Sequence, residues 1–123
     1  MDKKEEIIDR FNEVLSSFLN ELKPFIGDSY IKKFKLVTSL SKKQPLKSFI
    51  QYVMPLQQKI VDRDETYFTD YDMSKDGNAI SEFLHLNGLY NTLDGESKNN
   101  VWMYLSLLLA IAIEYLHNKN KKN

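Results

Sequence analysis

Residues 70–83 read DYDMSKDGNAISEF, the stretch whose residue types come nearest to chemistry. An EF-hand loop places oxygen ligands at positions 1, 3 and 5, a glycine at 6 and a bidentate glutamate at 12. Counting from Asp72, Ser74 falls at 3, Asp76 at 5 and Gly77 at 6. Position 12 is Phe83, Glu82 arrives one residue early and Ile80 one residue late. The glutamate supplies two of the ligand oxygens, so its loss weakens the site. Asp72, Ser74 and Asp76 stand as calcium candidates against a simpler reading: a polar turn bent at Gly77 and capped by Asn78.

Other chemistries find little support. His85 and His117 are far apart, with no second ligand at zinc-like spacing. There is no cysteine, no G-x-S-x-G and no glycine-rich phosphate loop. Asp62, Asp64 and Glu65 in the sequence DRDET could do acid–base work, yet a solvated cluster at a helix end uses the same residues. The expectation is a protein without catalytic function or cofactor.

Charge is unevenly spread although the formal net charge is zero. Lys32, Lys33, Lys35, Lys42, Lys43 and Lys47 crowd residues 29–47 without an acid, while six acids fall in 62–76. Such a dipole can orient a partner. Lys32, Lys33, Lys35, Asp62, Asp64 and Glu65 are the candidate contact residues. Lysine-mediated nucleic-acid binding is an alternative, weakened by the presence of only two arginines, Arg10 and Arg63, since lysine lacks the bidentate fork.

The elements that must position these residues read as helices. Ile8, Phe11, Leu15, Phe18 and Leu22 make one stripe over residues 3–22, closed by Pro24 and Gly27. Tyr30, Ile31, Phe34, Val37 and Leu40 make a second, capped by Asp28 or Ser29. A third helix opens at Pro45 with Leu46, Phe49, Ile50 and Val53, breaks at Pro55, and continues through Leu56, Ile60, Val61, Tyr67 and Phe68. A short helix carries Ile80, Phe83 and Leu84. Asn87-Gly88 marks a turn, and Leu89, Tyr90 and Leu93 form a short segment. Asp94 caps a last helix over 95–117.

Residues 101–113, VWMYLSLLLAIAI, are apolar nearly all round. Thirteen residues fall short of the roughly 20 needed to span a bilayer, so the expectation is a buried central helix rather than a membrane anchor. With 123 residues, 42% hydrophobic and 28% charged, the chain reads as an all-α, single-domain bundle of about five helices over 1–117, with a polar tail at 118–123. The N-terminus has no apolar run after its charges, which argues against a secretory signal and for a cytoplasmic address.

Phe49, Ile50, Val53, Pro55, Ile60, Arg63, Asp64, Glu65 and Phe68 follow one another in an order that, with Val101, Trp102, Tyr104, Leu105 and Leu108, resembles small uncharacterised helical proteins of large nucleocytoplasmic DNA viruses. The resemblance implies a viral origin, the infected-cell cytoplasm and a place in the virion, and supplies no catalytic residues. The expected role is a structural protein or one that binds a protein partner or itself. Neither nucleic acid nor membrane is the expected ligand.

Overall fold

A computed structural model of the protein describes residues 2–69, 79–86 and 89–119. It is all-α, as the periodicity predicts. Helix α1 (Lys3–Ile26) opens where Asp2 Oδ1 accepts the Lys4 N–H at 3.0 Å, and it buries Ile7, Ile8, Phe11, Leu15, Phe18, Leu19 and Leu22. The helix runs through Pro24, beyond the expected end at 22. The proline withholds only the N–H that Asn20 would receive, and both residues are exposed, so water can take the free carbonyl. Gly27 ends the helix at φ +74°, its N–H returning to the Lys23 carbonyl at 2.8 Å.

Helix α2 (Ser29–Leu40) is an outer element that packs on α1 and on the helices over Gln44–Tyr52 and Ala79–Leu84. Only Phe34 is buried. Tyr30, Ile31 and Val37 are half-buried, and Leu40, expected inside, is 82% exposed because the end of its stripe overhangs the contact. Asn12 Nδ2 donates to the Lys42 carbonyl at 2.8 Å and holds the link to α3 (Gln44–Tyr52) against α1.

Pro55 breaks the chain as expected, into a 3₁₀ turn at Met54–Leu56 and a short α4 (Gln57–Val61). The predicted continuation to Phe68 is interrupted a second time. Arg63 adopts φ +52° and turns the chain, and Asp64 starts a one-turn α5 (Thr66–Thr69) by accepting from the Thr66 N–H at 3.0 Å and its hydroxyl at 2.7 Å. Val61, predicted on the buried side, is 65% exposed at this corner. These two breaks turn one expected helix into three, so seven α-helices rather than about five occur among the described residues.

Helix α6 (Ala79–Leu84) buries Ile80, Phe83 and Leu84, and a 3₁₀ turn at Tyr90–Thr92 leads to α7 (Gly95–Lys119), capped by Asp94 Oδ1 on the Ser97 N–H at 2.7 Å. The helix runs two residues past the predicted end at 117. Helices α1 and α7 lie antiparallel and form the principal contact. Phe18 stacks on Tyr104 with ring centroids 4.8 Å apart, and Arg10 bridges Glu114 at 2.6 Å.

A buried aromatic cluster packs against the core-facing half of α7 at Trp102. Phe68 stacks on Tyr90 at 4.4 Å, Trp102 Nε1 donates to the Tyr90 hydroxyl at 2.9 Å, and His85 stacks on Tyr67 at 4.5 Å. His85 is fully buried with Nδ1 2.9 Å from the Ser81 carbonyl, so Nδ1 carries the proton. It is a core residue, and His117 is exposed.

The open face of the last helix

The last helix is not buried all round. Val101, Trp102, Leu105, Leu108, Leu109, Ile111, Ala112 and Tyr115 face the core. The other side is open: Met103 is 54%, Leu107 48% and Ile113 47% exposed, with Ser106 and Ala110 exposed between them. At 100° per residue these five positions lie on one face. The expected central helix is thus a boundary helix, because α1 and the aromatic cluster cover only one half of its circumference. Gly95–Asn118 is long and apolar enough to cross a membrane by length and composition alone, and under half of its most apolar stretch (44%) is buried.

Beside this face runs a groove of about 370 Å³ lined by Glu21, Asn100, Met103, Tyr104 and Leu107. Asn100 Nδ2 reaches Glu21 Oε1 at 3.5 Å across its floor. The edge toward α1 is therefore polar at both ends: Glu21 with Asn100, and Arg10 with Glu114 about 21 Å further along the helix, at about 1.5 Å for each step from 100 to 114. The opposite edge carries Arg63, whose Nη1 donates to Asn99 Oδ1 at 2.8 Å.

The residues singled out by type lie elsewhere. Lys32, Lys33 and Lys35 are exposed on α2. Lys32 approaches Asp28 at 3.5 Å, and Lys33 Nζ stands 5.3 Å above the Tyr30 ring. Lys42 is held by Glu5 at 2.7 Å and Asp9 at 3.1 Å, hydrogen bonds that raise its pKa above the usual lysine value. Asp62, Asp64 and Glu65 are exposed at the α4–α5 corner. Asp62 terminates α4. Asp64 is occupied as a cap, and the Thr66 hydrogen bonds hold its carboxyl below the usual range. The DRDE sequence thus builds a chain reversal. Asp72, Ser74 and Asp76 lie outside the described residues, as do Asn78, Asn87 and Gly88. Among the described residues no group of three or more histidines and acids could hold a metal ion.

A wider polar groove of about 610 Å³ separates α1 from α2, lined by Asp9, Asn12, Glu13, Ser16 and Thr38 among others. Tyr30, at the start of α2, has its hydroxyl 3.4 Å from Glu82. Burial first, and then that carboxylate, raise its pKa.

Reading α7 as a core element obscured its open face. The open side runs through Asn99, Met103, Ser106, Ala110, Ile113 and His117 at four–three spacing, but over the apolar stretch it differs too little from the opposite stripe to mark which side meets water. No protein-family model, curated protein or solved structure matches the chain.

Proposed function

We propose that the protein is a non-enzymatic helical interaction or structural protein that docks a protein partner on the open face of α7. The observation that carries this reading is the contiguous apolar surface of Met103, Leu107, Ala110 and Ile113 beside a groove closed at one end by the polar pair Glu21 and Asn100. Scattered exposed hydrophobics are ordinary, but a contiguous apolar patch rimmed by polar groups marks an interaction site. Packing does not require these side chains to be apolar here, since they meet water in the isolated chain. The lysines of α2 would steer an acidic partner rather than supply the affinity.

The nucleic-acid alternative draws less support, because Lys42 is committed to two carboxylates and Lys32 and Lys33 have local contacts. A setting in the infected-cell cytoplasm or the virion belongs to the same proposal and rests on the sequence resemblance alone.

The test compares affinity captures from the source cells by wild type, Leu107→Glu and Leu40→Glu. Leu40 is 82% exposed on a different helix and controls for a new surface charge. The reading expects one captured set shared by wild type and Leu40→Glu and lost with Leu107→Glu. Capture that is indifferent to Leu107 refutes it.

A further inference from the structure

We propose that the occupant of the open α7 face is a second copy of the chain, with its own α7 laid antiparallel across the first. This rests on reading that face as a docking surface. Three features of the face select this occupant.

The first is spacing. Asn99, Met103, Ser106, Ala110, Ile113 and His117 follow one another at intervals of 4, 3, 4, 3 and 4 residues, the seam of a two-helix coil sustained for about 27 Å at 1.5 Å per residue. The second is size. The order polar, large, small, small, large, polar reads the same in both directions. An antiparallel copy therefore sets Met103 against Ile113, Ser106 against Ala110 and Asn99 against His117. The small pair at the centre lets the two backbones approach, and the large pairs fill the space on either side.

The third is charge along the edge formed with α1. Asn100 is tied to Glu21, and Glu114 to Arg10. Antiparallel pairing brings the Glu21 end of one copy to the Arg10 end of the other, so each Arg10 stands between two acids. Leu107 then meets Leu107 of the second copy across the two-fold axis. Parallel pairing would instead place the two α1 edges on opposite sides of the seam, where neither Arg10 meets the Glu21 of the other copy. A face about 27 Å long and one helix wide is near the lower limit for a specific interface, so the dimer should be of micromolar strength, with Kd about 1–100 μM.

Sedimentation velocity across that concentration range, with the full chain, tests association. The expected result is a monomer–dimer equilibrium, weakened at least about tenfold by Leu107→Glu and by Ser106→Lys while circular dichroism stays that of the wild type. The absence of cysteine makes disulfide trapping unambiguous. Chains carrying Met103→Cys mixed with chains carrying Ile113→Cys should cross-link to each other. Neither should cross-link to itself, because the two copies of either position lie about 15 Å apart, beyond disulfide reach.

A monomer at every concentration overturns the second copy, while the capture experiment with Leu107→Glu separately judges the docking face. Self-cross-linking of Ile113→Cys overturns the antiparallel arrangement. Flotation with phosphatidylcholine vesicles, lost in Leu107→Glu and without self-association, overturns the proposal in favour of a lipid surface.

Discussion

Tyr90→Phe removes one oxygen from the buried aromatic cluster and leaves the rest in place. Tyr90 and Trp102 are 3% and 4% exposed, and the indole N–H donates to the tyrosine hydroxyl at 2.9 Å. The phenylalanine ring keeps the stack on Phe68 at 4.4 Å and the position under Lys98, whose Nζ lies 5.1 Å from the ring centroid. Two effects remain. The hydrogen bond itself is lost, a net contribution of about 1 kcal/mol, and the indole N–H is left buried without an acceptor, which brings the total to about 1–3 kcal/mol. A urea slope of about 1–3 kcal/mol per M then lowers the unfolding midpoint by roughly 1 M. The assay reports from the site, because Trp102 is the single tryptophan of the chain and its emission follows unfolding directly. Circular dichroism in parallel checks that both probes see one transition. A midpoint unchanged in Tyr90→Phe would show that the indole N–H is already hydrated, and would refute the account of this cluster as closed to water.

Phe18 is fully buried between Tyr104 and Phe83, so Phe18→Ala should cost about 3–5 kcal/mol, a large part of the roughly 5–15 kcal/mol expected of a domain, as read by urea unfolding. Gly27 has open space where a Cβ would stand, yet its φ of +74° and ψ of −169° belong to a region nearly closed to other residues. Gly27→Ala should therefore destabilise by about 1–3 kcal/mol in the same assay through backbone strain alone. Asp94 and Asp64 have carboxyls held below their ordinary values by capping hydrogen bonds. A folded pKa below the unfolded one gives stability that is present above the unfolded pKa and lost as pH falls through the folded pKa. Acid titration of the melting temperature should thus show a loss beginning near the normal aspartate range, and Asp94→Asn should flatten it.

Patterns of three and four residues made the helices legible, since a helix must bury one stripe and the stripe is written in the sequence. The cap at Asp94 and the break at Pro55 were equally local and equally readable. Arg63 was not. Its φ of +52° is one that side chains with a Cβ enter only when surroundings favour it, and its guanidinium reaches Asn99, 36 positions away. The acids beside it looked like candidates for chemistry, yet Asp64 is occupied as a cap by the N–H and hydroxyl of Thr66, two residues on.

The sequence alone determined that α7 would be a helix and that it would be apolar, because both follow from its own side chains. Which half of α7 meets the core was decided only by the tertiary structure. An all-apolar helix carries no polar stripe to say which side faces water, so exposure depends on how much surface the neighbours can cover. Helix α1 and the cluster of Phe68, Tyr90 and Trp102 cover one side, and Met103, Leu107 and Ile113 remain outside.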